Sequence, residues 1–176
     1  MIFTETKLKG AFVVDIEKHI DERGFFARIW CADEFATRGI DTTNAQFSVS
    51  FNKRRGTLRG MHWQVEPHAE NKLVRCTRGG IYDVIVDLRA DSPTYCQWVG
   101  VELTETNHRA LFIPKMFAHG FITLEDNTEV FYQISERFAP ESARGARYDD
   151  PAFGIDWHNK VQVIAQKDLA YPRFSK

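Results

Sequence analysis

An all-β jelly roll is the fold class that the sequence predicts, and three observations carry it. Short alternations of apolar and polar residues with period two fill most of the chain between single Gly and Pro residues. Only one segment has helical character. The strand-like segments also hold Arg59, His62, Lys72, Arg75, Asp83 and Asp87 among apolar neighbours. Such residues suit a barrel with a polar lining, whereas the dry core of an immunoglobulin-type sandwich would leave each of them to be buried at a cost. The chain has 176 residues, no repeat of fixed period and no low-complexity linker. One domain over 1–176 is therefore expected, large enough to bury roughly 68–70% of its unfolded surface.

The elements follow in order along the chain. Ala11-Phe-Val-Val14 is the longest apolar run near the N-terminus. It is far shorter than a signal-peptide core or the roughly 20 residues of a membrane span. Cys31-Ala-Asp-Glu-Phe-Ala-Thr-Arg38, closed by Gly39, predicts a short helix, with Asp33 and Glu34 early and Arg38 late to suit the macrodipole. Alternation predicts strands at Thr57–Gln64, Leu73–Thr77, Ile81–Arg89, Trp98–Leu103 and Glu129–Ile134. Arg78-Gly79-Gly80 predicts a hairpin turn between two of them, because adjacent glycines accept the positive φ of tight turns.

Lys and Arg number 23 against 24 Asp and Glu, a formal charge of −1. A nucleic-acid or membrane-surface protein calls for a basic domain or face, so neither partner is expected and a cytoplasmic setting is. Any anionic partner is met locally. Three cysteines without C-x-x-C spacing signal neither a disulfide framework nor a zinc knuckle. Of six histidines, His19, His68, His108 and His158 sit among charged and turn residues and read as surface, while His62 and His119 lie in Gly-punctuated apolar settings.

Period two assigns faces. Lys72, Val74 and Cys76 share one face, as do Asp83, Asp87 and Arg89. Arg59 and His62 have opposite parity, so they serve one pocket only if the strand bulges near Gly60. His62-Trp-Gln64 and Pro114-Lys-Met-Phe-Ala-His-Gly120 resemble the two halves of the metal-binding cupin pattern, with Gln64 in place of the second His. Two imidazoles without a third ligand make a poor catalytic site, so no metal is expected. A metal-dependent cupin oxygenase stays open as an alternative. There is no G-x-S-x-G elbow, and no Cys stands beside a base in a recognisable setting. Acid–base chemistry without a cofactor is left.

Six segments in order carry a resemblance: Asp21-Glu-Arg-Gly-Phe-Phe26, Gly56-Thr-Leu-Arg-Gly-Met-His-Trp-Gln64, Lys72-Leu-Val-Arg-Cys76, Asp91-Ser-Pro-Thr94, Ile113-Pro-Lys-Met-Phe-Ala-His-Gly-Phe121 and Asp149-Asp-Pro-Ala-Phe-Gly-Ile-Asp-Trp157. Together they resemble the dTDP-4-dehydrorhamnose 3,5-epimerase family. The resemblance implies a metal-free, cupin-type double-stranded β-helix with extended N-terminal strands, forming a homodimer. It implies an isomerase acting on a nucleotide-diphosphate sugar with a C4 ketone, by proton abstraction α to that carbonyl and reprotonation on the opposite face. On this reading His62 is the base, oriented by Asp168, and Tyr132 is the acid. Lys72 donates to the C4 oxygen, while Arg59, His119 and Arg23 hold the diphosphate, Arg23 reaching across from a partner subunit. Gln46 and Ser48 stand where the family holds the nucleotide with a Gln-x-Asn element. The chain departs from the family at Arg28 and Ala143, both usually Glu, and at Ser48. These departures fall at the nucleotide end and keep open a 3-epimerase acting on a single centre, or a binding module without catalysis.

Overall fold

The computed structural model describes residues 1–175. Its frame is two six-stranded sheets. The first runs in the order β1 (Ile2–Glu5), β2 (Phe12–Asp15), β10 (Ala110–Ile113), β7 (Lys72–Arg78), β12 (Thr128–Ile134) and β5 (Gln46–Asn52). The second runs β13 (Ala143–Gly145), β6 (Thr57–Gln64), β11 (Phe117–Thr123), β8 (Gly80–Asp87) and β9 (Trp98–Thr104), with β14 (Val163–Ile164) added to β6. The β14–β6 pair is parallel and the other pairs are antiparallel. A separate hairpin joins β3 (His19–Asp21) to β4 (Gly24–Phe26), and α1 (Ala32–Ala36) and α2 (Gln166–Leu169) are each about one turn. This is the all-β, cupin-like jelly roll that the alternation predicts.

The alternation also explains the layers. Val74, Ile113 and Val130 of the first sheet meet Ile81, Ile85, Leu103 and Phe121 of the second in a buried inner core. The opposite parity of the second sheet, Leu58, Met61, Tyr82, Val84, Val86 and Ile122, is covered by the C-terminal segment through Phe153 and Trp157. On the outside of the first sheet Phe35 of α1 covers Leu73 and Phe112. That helix is shorter than expected: Cys31 makes no side-chain cap and Thr37 is the C-cap.

The expected hairpin at Arg78-Gly79-Gly80 is corrected. Strands β7 and β8 do not pair; β7 lies between β10 and β12, while β8 lies between β11 and β9. The glycines form a corner between sheets, where Gly79 at φ +72° abuts Thr128. Local turn chemistry allows the reversal of direction but does not choose the next strand's neighbour.

A second corner, residues 87–97, is built on Asp87. Its carboxylate accepts from the backbone N–H (3.0 Å), Nε (2.9 Å) and Nη2 (2.7 Å) of Arg89, from the Thr94 hydroxyl (2.7 Å) and from the Ser92 hydroxyl. Burial alone would raise this carboxyl, but the bonds from Arg89, Ser92 and Thr94 outweigh it and hold it at about 2. A carboxyl lowered by folding stabilises the folded state fully above its ordinary value of 3.8, and loses that contribution as pH falls toward 2. Asp87→Asn is therefore expected to cost about 2 kcal/mol at neutral pH. Thermal melts between pH 7 and 2 check this: the gap between wild type and variant should close below pH 4.

Candidate functional site

A cavity of about 660 Å³ opens at one end of the space between the sheets, within the range of small-molecule sites. Gln46, Ser48, Arg59, His62, Lys72, Tyr132 and Asp168 all line it. The sequence-predicted set thus converges from β5, β6, β7, β12 and α2.

Strand β6 delivers two of these side chains through an irregularity. His62 is opposite His119 but Arg59 is opposite Phe121, so β6 spends three residue steps where β11 spends two. The extra residue reverses parity: Leu58, Met61 and Trp63 join the outer core while Arg59, His62 and Gln64 line the cavity. Gly60 sits at the offset with φ +129°, and a Cβ there would come within 2.5 Å of the Gly120 Cα. The bulge required by the parity of Arg59 and His62 is present, and only glycine fits its close approach to β11.

His62 is partly exposed to the cavity, its side chain 39% accessible, and its Nε2 lies 2.8 Å from Asp168 Oδ1. The other oxygen of Asp168 accepts the Gly60 N–H at 3.2 Å. Burial would raise the Asp168 carboxyl, but the His62 bond and charge and the Gly60 N–H together keep it below its ordinary value. An ionised Asp168 is acceptor-only, so the Nε2–H of His62 donates to it, and in the neutral form of the ring Nδ1 is the nitrogen that carries the lone pair. Tyr171 meets the His62 ring edge-on, centroids 5.8 Å apart, and its own ring fills the space over Gly145. These contacts seat the C-terminal turn against β6 and β13.

Tyr132 enters from the other sheet. Burial, then the Asp83 charge, drives its hydroxyl well above the ordinary phenol range, against the opposing pull of Arg59 and a Ser50 hydrogen bond. The phenol keeps its proton. Lys72 Nζ meets Glu70 Oε1 at 2.9 Å, both side chains being nearly buried. Arg59 Nε donates to Asn52 Oδ1 at 2.8 Å. Arg59, Arg144 and Lys167 also line the cavity, and among the described residues none of them has a carboxylate within salt-bridge distance. The wall is cationic despite the near-neutral chain.

Two expected residues stand apart. His119 is buried behind the wall, its Nε2 2.6 Å from Asp83 Oδ1 and its ring edge-on to Tyr132 at 6.2 Å. Arg23 sits on the β3–β4 hairpin, 83% exposed and bound to Asp21, on no wall of this chain's cavity. Arg28 pairs with Glu34 at the surface (3.0 Å), whereas Ser48 and Ala143 do line the cavity. As for metal, His62 and His119 face each other across β6 and β11, yet each meets its own carboxylate. Among the described residues no group of three His, Cys, Asp or Glu gathers as a metal site.

The lining also holds residues that the sequence gives no role, among them Ser50, Glu70, Phe138, Arg144, Lys167 and Tyr171. Ser50 was legible, since it continues the parity of Gln46 and Ser48, and Glu70 shares the parity of Lys72. Nothing local marks Phe138 or Lys167.

Comparison with known proteins agrees with this geometry. A family model described as dTDP-4-dehydrorhamnose 3,5-epimerase matches residues 5–176. The protein of that name from Methanothermobacter thermautotrophicus is 42% identical over 94% of this chain and 90% of its own length. The crystal structure of dTDP-4-dehydrorhamnose 3,5-epimerase from Elizabethkingia anophelis NUHP1 superposes with a TM-score of 0.96 at 32% identity, covering 99% of this chain and 96% of that one. A Legionella pneumophila dTDP-6-deoxy-D-glucose-3,5-epimerase, solved in complex with dTDP-4-keto-L-rhamnose, has a TM-score of 0.89 at 34% identity over 99% of both chains. With a cavity walled by acid–base and cationic side chains, a full-length family match and near-complete superposition, the chain belongs to the dTDP-4-dehydrorhamnose 3,5-epimerase family of isomerases.

Proposed function

We propose that this protein inverts C3 and C5 of a nucleotide-linked 4-keto-6-deoxyhexose, one domain carrying the whole reaction without a cofactor. One observation carries the reading: His62 and Tyr132 enter one cavity from opposite sheets, β6 and β12, as a base and an acid on opposite faces of a sugar must. Nδ1 of His62 takes the proton from a carbon next to the C4 carbonyl, and the C–H electron pair moves onto the C4 oxygen as an enolate. Lys72 donates to that oxygen, where a preorganised donor in a water-poor site is worth most. The enolate collapses as carbon takes the Tyr132 proton on the far face, and exchange with solvent restores both groups.

Arg59 and Lys167 supply positive charge for the diphosphate, Arg59 as a planar fork. Gln46 and Ser48 offer polar contacts to the nucleoside, and Phe138, exposed at the mouth, offers a stacking face. His119 acts from behind the wall through Tyr132. A homodimer is supported by Phe47, Val49 and Phe51 on the outer side of edge strand β5, and by Ile20 and Phe26 on the exposed hairpin that bears Arg23. Such a dimer would bring the Arg23 hairpin of a second copy to the diphosphate. A cytoplasmic setting accords with three free cysteines, and no helix among the described residues is long and apolar enough to cross a membrane.

Ala143 on the cavity wall, in place of the usual Glu, favours one second reading, a 3-epimerase that inverts a single centre. Incubation of dTDP-4-keto-6-deoxyglucose with the protein in heavy water, followed by mass spectrometry, separates the two. Two deuterons in the product are expected; one assigns the single-centre reaction. No deuterium from any 4-keto sugar nucleotide would remove the epimerase reading.

A further inference from the structure

Gln64, which stands where a metal-binding cupin has its second histidine, is 3% exposed and has no part in the proton transfers above. Its side chain is a junction. Oε1 accepts the Ala139 N–H at 2.6 Å, while Nε2 lies 2.9 Å from His68 O, 3.1 Å from Arg137 O and 3.1 Å from Glu70 Oε2. The two N–H bonds of the amide are shared among these three acceptors, and together with Oε1 they tie the end of β6 to the segments at 68–70 and 137–139 and hold one oxygen of Glu70. The second oxygen of Glu70 meets Lys72 Nζ at 2.9 Å, with side-chain exposures of 10% and 11%. Asn71, between them, is held in turn, its N–H donating to Ser135 Oγ at 2.8 Å.

We infer that Glu70, clamped by Gln64, is the positioning residue for Lys72, holding it as an ammonium aimed into the cavity. The inference rests on the epimerase reading and deepens it. An ammonium has three N–H donors and no acceptor. Glu70 engages one and leaves the others for the oxygen on which enolate charge appears. A nearly buried ammonium without a counter-ion is costly, and losing its proton is the easiest relief. The resulting amine has a lone pair in place of one donor and no charge to offset the enolate. Glu70 touches neither the reacting carbons nor the carbonyl; it acts through Lys72. The Glu70 oxygen turned away from Lys72 is held by the Gln64 amide, so the position at which a metal-binding cupin has its second histidine here anchors the electrostatic donor.

Glu70→Gln tests this, because it keeps size and hydrogen bonding but removes the charge. Two readouts are needed, one independent of turnover. The first is the rate at which an amine-acylating reagent modifies Lys72 across pH 7–10, followed by peptide mass spectrometry. The second is kcat and KM for the 4-keto sugar nucleotide across the same pH range. The expected results are at least tenfold faster Lys72 modification near pH 8, and kcat lowered about 10- to 100-fold, with the alkaline limb of the rate moved to lower pH and KM changed less than kcat. Glu70→Asp should recover part of both. Unchanged Lys72 modification, or a kcat within twofold of wild type with an unshifted pH profile, overturns the inference. If wild type itself exchanges no hydrogen, the epimerase reading has failed, and the modification rate still decides whether Glu70 governs Lys72.

Discussion

His62→Asn is expected to slow deuterium incorporation at C3 and C5 by about 10²- to 10⁴-fold, the range set by loss of a positioned general base. Asparagine keeps a donor for Asp168 but offers no nitrogen that can take a proton. The fold should survive, because the His62 side chain is 39% exposed and the inner core lies on other strands. Thermal melts should therefore shift by only a few degrees. Asp168→Asn should act in the same direction with a smaller loss, since the tautomer of His62 is then less firmly set. Near-wild-type exchange in His62→Asn, read by mass spectrometry of the sugar nucleotide, would withdraw the base role.

Tyr132→Phe should separate two events that wild type couples. The phenol is held in its protonated form by burial and the Asp83 charge, which fits it to give a proton and not to take one. Without the hydroxyl, the base can still abstract and return hydrogen on its own face. Epimerised product is expected to fall about 10²- to 10⁴-fold, while deuterium enters recovered substrate with retained configuration. The ratio of labelled substrate to labelled product is the measurement. An equal fall in both would mean that Tyr132 does not supply the far-face proton.

Much of the frame is legible in the chain, and the reasons differ by element. Strands β6, β8, β9 and β12 are visible because each is a short run rich in β-branched and aromatic residues bounded by turn residues, although β8 proves to be buried on both faces. The bulge at Gly60 follows from a conflict, since Arg59 and His62 cannot share a pocket on a regular strand. Edge strand β5 inverts the usual signal: Phe47, Val49 and Phe51 point out while Gln46, Ser48 and Ser50 point in, so alternation alone suggests the wrong face as buried. The corner at Gly79-Gly80 looks like a hairpin because turn residues encode φ, whereas sheet membership depends on contacts distant in sequence. Asp168 comes from a four-residue helix, too short to have a period, and its approach to His62 is accompanied by the packing of Tyr171 over Gly145 and against the His62 ring, a contact that no local pattern announces. The Gln64 junction is invisible for a further reason: a buried amide identifies its partners only after two loop segments, at 68–70 and 137–139, have folded around it.

The separation of 106 residues between His62 and Asp168 also orders events during translation. At roughly 5–20 residues per second, the carboxylate leaves the ribosome about 5–20 s after the imidazole it orients. By then β6, β7, β11 and β12 have all been synthesised, so the walls of the cavity precede the carboxylate proposed to orient its base. On the proposed roles, a nascent chain gains the shape of its cavity before its chemistry, and turnover begins only when the α2 turn docks.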